Sequence, residues 1–76
     1  MKLPILSSKE LCKFLENEGF KAIRQKGSHR FYQHTDGRTT LAPISSKSIS
    51  RGLLGAVLDE INMDREIFLK KHYKKQ

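Results

Sequence analysis

The sequence has 76 residues, one cysteine, 15 Lys and Arg residues and 8 Asp and Glu residues, which give a formal net charge of +7 at neutral pH. This length fits one compact domain, expected over residues 1–76, and is too short for two. The single Cys12 excludes an internal disulfide and favours a reducing compartment such as the cytoplasm. No apolar run approaches the roughly 20 residues of a membrane span, so no membrane association is expected.

The N-terminal part of the chain predicts a helix. Ser7 and Glu10 have the spacing of a capping box, and apolar residues follow at helical intervals. A helix is therefore predicted from Ser8 to Glu18. Gly19 follows it and is suited to the left-handed conformation that ends many helices.

Three strands are predicted next. Loosely alternating residues indicate strands from Phe20 to Lys26 and from His29 to Thr35. The dipeptide Asp36-Gly37 indicates a two-residue type I′ hairpin turn, because both central positions of that turn need positive φ. A third strand is predicted from Arg38 to Ala42, and Pro43 marks its end because proline cannot donate to a strand ladder.

The C-terminal part predicts two more helices. Ser46 or Ser48 can cap the second helix. Its apolar stripe is Ile49, Leu53, Ala56, Val57 and Ile61. A short third helix is predicted from Arg65 to about His72 with Asp64 as its cap, and residues from about 70 to 76 are predicted to form a flexible basic tail.

This order of elements predicts an α+β fold, with a three-stranded antiparallel sheet and the helices packed on one of its faces. The other face is then open to solvent and carries basic side chains. A two-residue turn would place Phe31 opposite Ala42 and Tyr32 opposite Leu41. Both faces then carry an apolar pair, so the sequence leaves open which face is buried.

The positive charge is concentrated between Phe20 and Arg51. Seven basic residues against the single acid Asp36 give this segment a net charge of +6. The seven are Lys21, Arg24, Lys26, Arg30, Arg38, Lys47 and Arg51. A solvated surface that aids solubility is one interpretation, but concentration on the predicted strands favours a nucleic-acid partner.

The three histidines do not have the spacing of a metal site. His29 and His34 are predicted to point to opposite faces of one strand, and neither they nor His72 belong to a Cys or carboxylate pattern. We therefore predict neither a metal nor a small-molecule cofactor.

The surroundings of His29 indicate chemistry on a phosphodiester. Gly27 allows a tight turn, Ser28 can donate to a phosphate oxygen, and Lys26 and Arg30 supply charge on either side. A histidine can transfer protons near neutral pH. His29 is thus the candidate catalytic residue. The predicted RNA-binding residues are Arg24, Lys26, Gly27, Ser28, Arg30 and Lys47.

The stretches GFKAIRQKGSHRFY, DGRTTLAP and SISRGLLGAVLDEINMDREIFLKK resemble the HicA family of toxin-antitoxin mRNA interferases. The resemblance implies an α-β-β-β-α fold like that of double-stranded-RNA-binding domains. It further implies metal-independent cleavage of mRNA with His29 as the catalytic residue, and neutralisation by a cognate HicB-like antitoxin. The family often has a second histidine where this chain has Ser45.

The sequence is also compatible with two other functions. One is a non-catalytic RNA-binding module of the double-stranded-RNA-binding type, which the charge and fold alone would support. The other is a structural protein that binds an acidic protein partner through the same face. Phe31 and Tyr32 are candidates for stacking on RNA bases, and at least one of them is expected to fill the core instead.

Overall fold

Helix α1 begins at the predicted capping box. The structure is a computed structural model that describes residues 2–45 and 48–74. Helix α1 spans Ser8–Asn17. The Ser7 hydroxyl accepts from the Glu10 amide at 3.1 Å, and the Glu10 carboxylate accepts from the Ser7 amide at 2.8 Å. The bond from the Ser7 backbone lowers the pKa of the Glu10 carboxyl, so the ionised form of Glu10 closes the first turn of the helix.

The predicted antiparallel meander is confirmed. Strands β1 (Lys21–Lys26), β2 (His29–Gln33) and β3 (Thr39–Pro43) pair in the order β1-β2-β3. Helices α2 (Arg51–Glu60) and α3 (Arg65–Lys74) follow. The chain therefore has the α+β architecture expected from its sequence, with an α-β-β-β-α core arrangement followed by one more helix.

The side chain of Tyr32 identifies the buried face of the sheet. Tyr32, Thr40 and Ala42 lie in the core beneath α1 and α2. The Tyr32 hydroxyl donates to the Glu16 carboxylate of α1 at 3.1 Å, and burial raises the pKa of this phenol far above its usual range. The opposite face, here called the open face, consists of Lys21, Arg24, Lys26, His29, Phe31, Gln33, Thr39, Leu41 and Pro43.

The β2–β3 register differs from the predicted one. Phe31 pairs with Leu41 and Tyr32 with Thr40, one residue away from the predicted pairing. The Gly37 amide donates to the His34 carbonyl, and the His34 amide donates to the Arg38 carbonyl, both at 2.9 Å.

This pattern is a type I turn followed by a glycine bulge rather than a type I′ turn. Gly37 has φ of +97°. In the described part of the chain, Asn62 is the only residue other than glycine with positive φ, so the φ of Asp36 is not positive. Asp36 therefore cannot occupy a type I′ position. The three-residue loop sets the register that brings Tyr32 and Ala42 onto the same face.

Helix α2 begins later than predicted. Its N-cap is Ser50, whose hydroxyl accepts from the Leu53 amide at 3.1 Å. Ser48 lies before the cap, and Ser46 lies outside the described residues. Several serines in this segment could cap a helix, and a tertiary contact selects among them. The Ile49 amide donates to the Leu6 carbonyl, so the chain is still extended at Ile49 and the helix can begin only after it.

Helix α3 packs against α1. The ring of Phe68 meets that of Phe14 edge to face at a centroid distance of 4.9 Å, and Lys71 forms an ion pair of 2.7 Å with Glu18. The Asp64 carboxylate accepts from the Glu66 amide at 2.7 Å, as a cap would. Within residues 2–45 and 48–74, no helix combines the length and the apolar character needed to cross a bilayer.

The cap of α2 can be tested with two serine substitutions. We expect Ser50→Ala to lower the free energy of unfolding by about 1 kcal/mol, because the Leu53 amide loses its acceptor. Ser48→Ala should change it by less than about 0.5 kcal/mol, because the Ser48 side chain is exposed before the cap. Urea unfolding of both variants measures the difference, and equal losses would contradict the assignment of Ser50 as the cap.

Candidate nucleic-acid interface and active site

The turn before His29 is built around Gly27. Lys26 pairs with His29, so Gly27 and Ser28 alone form the loop between β1 and β2. Gly27 has φ of +59°, and Ser28 does not have positive φ. This combination is typical of a type II′ turn, which requires glycine at its first central position. The tight turn therefore fixes His29 as the first residue of β2.

His29 lies exposed on the open face. Its neighbours across the two strand ladders are Lys26 on β1 and Pro43 on β3, and paired residues point to the same face of a sheet. The Ile44 amide donates to the Ser28 carbonyl at 2.8 Å, which extends the β2–β3 pairing to the edge of the turn. The imidazole of His29 therefore lies on a hydrogen-bonded strand, is accessible to solvent and is next to the cationic side chain of Lys26.

Three basic side chains of β1 share the open face with His29. They are Lys21, Arg24 and Lys26. A β-bulge between Ala22 and Arg24 shifts the register so that Arg24 pairs with Phe31. The Arg24 guanidinium lies over the Phe31 ring, 4.5 Å from its centroid. This pair offers an exposed cationic and aromatic surface beside His29, of the kind on which RNA bases and phosphates bind.

The two candidate stacking residues have different positions. Tyr32 is fully buried and belongs to the core. Phe31 is half-buried on the open face, where one side of its ring is covered by Arg24. The expectation that at least one of the two fills the core is confirmed by Tyr32, and Phe31 is the one that remains partly accessible to a partner.

The structure does not bring all predicted RNA-binding residues together. Arg24, Lys26, Gly27, Ser28 and His29 form one continuous surface around the β1–β2 turn. Arg30 lies on the other face of the sheet, because successive residues of a strand alternate in direction.

Arg30 interacts with groups on its own face. Its guanidinium donates to the Gln25 side chain at 3.4 Å, and hydrogen bonding to Tyr32 raises the pKa of Arg30. Lys47 lies outside the described residues. Proximity in sequence had grouped Arg30 with His29, and the strand geometry separates them.

Two basic residues of the same segment have structural contacts. Arg38 donates to the Ile61 carbonyl at the end of α2 and forms a 2.8 Å ion pair with Asp36. Arg51 donates to the Leu3 carbonyl at 2.6 Å. Part of the positive charge of this segment therefore joins elements of the fold, and the described cations of the segment that share a face with His29 lie on β1.

The other histidines lie away from His29. His34 packs edge to face on Phe20 at 5.1 Å between ring centroids, and His72 stacks on Phe68 at 5.7 Å. Among the described residues, no group of three or more His, Cys, Asp or Glu side chains is arranged to hold a metal ion.

A groove beside His29 was not predicted from the sequence. It runs between β3 and α2 and encloses about 240 Å³. Its lining residues are His29, Leu41, Pro43, Leu53, Ala56, Val57 and Glu60. We call it the Pro43 groove. The sequence does contain one signal for this groove. Leu53, Ala56 and Glu60 have helical spacing, which places them on one side of the apolar stripe of α2.

Glu60 is held at the edge of β3. The Thr40 hydroxyl donates to the Glu60 carboxylate at 2.8 Å. Glu60 and Leu41 also line a second hollow of about 490 Å³ that includes Arg24 and Phe31. The two hollows therefore adjoin at Glu60, and together they extend from His29 to the Arg24–Phe31 pair.

Comparison with known proteins identifies the family of the chain. A family model described as HicA toxin of bacterial toxin-antitoxin matches residues 8–63, which extend from the start of α1 to just beyond α2. No curated protein matches the sequence.

The backbone conformation of Gly27 gives a direct test of the turn. We expect Gly27→Ala to destabilise the protein by about 1 kcal/mol, because an L side chain resists positive φ although no atom lies within 4 Å of the new methyl group. Gly52→Ala is the matched control. Gly52 is helical and equally open, so alanine there should stabilise by about 0.5 kcal/mol. Thermal unfolding should show opposite shifts, and a stabilised Gly27→Ala variant would contradict the type II′ turn.

Proposed function

We propose that this chain, which belongs to the HicA toxin family of bacterial toxin-antitoxin systems, is an endoribonuclease that cleaves messenger RNA with His29 as its catalytic residue. The observation that carries the proposal is the position of His29, exposed on the open face beside Lys26 and Arg24. The site of action would be the cytoplasm, where messenger RNA is translated. A family toxin has an antitoxin as its partner.

The proposed reaction is a transesterification within the RNA. The 2′-oxygen attacks the adjacent phosphorus, its proton passes to a base, and the bond from phosphorus to the 5′-oxygen breaks as that oxygen takes up a proton. The products are a 2′,3′-cyclic phosphate and a 5′-hydroxyl end. His29 can serve in either proton transfer, a step that typically contributes 10² to 10⁴-fold to the rate, and Lys26, Ser28 or water completes the other transfer.

The cations on β1 would supply the electrostatic part of catalysis. Negative charge increases on the non-bridging phosphate oxygens as the 2′-oxygen attacks. Lys26 is paired with His29 across the ladder and is the cation best placed to stabilise that charge, with Arg24 further along the same strand. Side chains of the protein therefore offer proton transfer and charge stabilisation, and the proposed reaction proceeds without a metal.

The antitoxin is proposed to be a HicB-like protein that covers the open face. A cell that produces this toxin needs to shield His29 from its own messages. An acidic surface on the antitoxin would complement Lys21, Arg24 and Lys26 and would speed association.

Expression in cells tests the catalytic role of His29. Induction of the unaltered protein should arrest growth and deplete messages within minutes. His29→Ala should lower RNA cleavage by at least about 100-fold, because the group that transfers protons is lost. Gln33→Ala is the matched control, since Gln33 is exposed on the same face of the same strand and should retain activity.

The purified proteins show whether cleavage or binding is affected. His29→Ala should keep its fold and its RNA affinity, and the products of the active protein should carry 2′,3′-cyclic phosphate ends. If the unaltered protein binds RNA without cutting it, the chain is a binding module, and the proposed catalytic role of His29 is wrong.

Salt dependence tests which cations contact phosphate. If Lys21, Arg24 and Lys26 bind a single strand, the logarithm of affinity should fall with the logarithm of salt concentration with a slope of about −2. Lys26→Ala or Arg24→Ala should each reduce that slope by about 0.7. Arg30→Ala should leave it nearly unchanged, since Arg30 lies on the opposite face. A slope near zero for the unaltered protein would contradict the proposed basic surface.

A further inference from the structure

We propose that the Pro43 groove binds the base of the nucleotide next to the scissile phosphate, and that Glu60 selects bases with an amino group, guanine best and uracil worst. The inference rests on the proposed function, because it places RNA on the open face at His29. The juxtaposition that carries it is a narrow apolar groove with the catalytic histidine at one end and an oriented carboxylate at the other.

The walls of the groove suit a flat aromatic ring. Leu41 and Pro43 of β3 form one wall, and Leu53 and Ala56 of α2 form the other. Leu53 and Ala56 are exposed, so the groove is accessible from solvent. Its volume of about 240 Å³ is below the range of roughly 300–1,000 Å³ for sites that enclose a drug-sized molecule, which favours a single group such as a base.

Charge determines which part of the RNA enters the groove. Lys26 and Arg24 lie on β1, on the other side of His29 from α2. Phosphates are attracted to that strand and repelled by the Glu60 carboxylate. A nucleotide bound with its phosphate at His29 and Lys26 therefore points its base, rather than its backbone, towards α2 and Glu60.

The carboxylate of Glu60 is suited to reading a base edge. The bond from the Thr40 hydroxyl uses one acceptor position of Glu60, and the remaining lone pairs on the two oxygens stay available. Guanine presents a ring N–H and an amino group side by side and can donate to both oxygens. Adenine and cytosine offer an amino group beside an acceptor nitrogen, and uracil offers one N–H between two carbonyls that a carboxylate repels.

Specificity is a better role for Glu60 than proton transfer. Glu60 is anchored at Thr40, whereas His29 pairs with Pro43, three residues further along β3. That separation is about 10 Å along the strand. A group that transfers a proton must reach the reacting oxygen within hydrogen-bond distance, whereas the bond to Thr40 holds the Glu60 carboxylate at a different level of β3 from His29, where it can reach the base instead.

Binding by the inactive His29→Ala protein is the decisive measurement, because cleavage cannot then distort it. The probes are hexauridylate and three hexanucleotides in which one uridine is replaced by guanosine, adenosine or cytidine. We expect the guanosine probe to bind about tenfold more tightly than hexauridylate, with the other two in between. Adding Glu60→Gln should reduce this preference to about twofold, because a glutamine amide can accept from one base edge and donate to a uracil carbonyl.

Two further variants separate recognition from general effects. Glu66→Gln makes the same change of charge on an exposed carboxylate of α3 that does not line the groove, so it should preserve the order of the four probes. Ala56→Leu adds a larger side chain to the α2 wall of the groove and narrows it. This variant should bind the guanosine probe no more tightly than hexauridylate.

Equal binding of all four probes, or a guanosine preference that survives Glu60→Gln, would overturn the inference. The unaltered protein is tested for cleavage of the same probes. Failure to cleave any RNA would contradict the proposed reaction, while the Glu60-dependent order of binding would still stand. The two proposals therefore fail in different experiments.

Discussion

The burial of Tyr32 is the constraint on which the site depends. Its ring fills the core and its hydroxyl donates to Glu16 on α1, so β2 cannot be reversed without leaving a large cavity in the core and losing the bond to Glu16. Strand side chains alternate, and Phe31 and His29 are therefore on the other face. A slip of one residue would place His29 under the helices. The glycine bulge at Gly37 and the tight turn at Gly27 hold the two ends of β2 against such a slip.

Strand β1 combines two properties that a binding surface needs. All six of its residues are exposed, so it contributes its side chains to a partner rather than to the core. It is also an edge strand of the sheet, and basic side chains on an edge oppose pairing with another copy of the strand. The charges proposed to bind phosphate thus also protect the isolated protein from edge-to-edge association. The bulge in β1 gives Arg24 its position over Phe31 without disturbing the buried face of β2.

The sequence predicted the elements well and their exact geometry less well. Helix α1 and the meander follow from local signals, a capping box and alternation around glycine turns, that tertiary contacts only reinforce. The Asp36-Gly37 dipeptide suits two hairpin loops that differ by one residue, and only packing around Tyr32 chooses between them. The position of Glu60 in the Pro43 groove could not be recognised, because a carboxylate on an exposed helix face is ordinarily solvated. That position results from the approach of α2 to β3, which no local pattern encodes.

In the proposed reaction, His29 is the single histidine on a face whose other charged groups are the cations of β1. Ser45, which stands where the resemblance would place a second histidine, follows Ile44, whose amide donates to the Ser28 carbonyl of the turn. A serine there leaves that edge without a second histidine. Accurate positioning of the nucleotide at His29 would then have to compensate for the missing second histidine. Cations on β1 and the carboxylate on α2 lie on opposite sides of His29, so the electric field across the site favours one orientation of a bound nucleotide. In the proposed reaction, the asymmetry of charge across the open face would therefore orient the phosphate at His29.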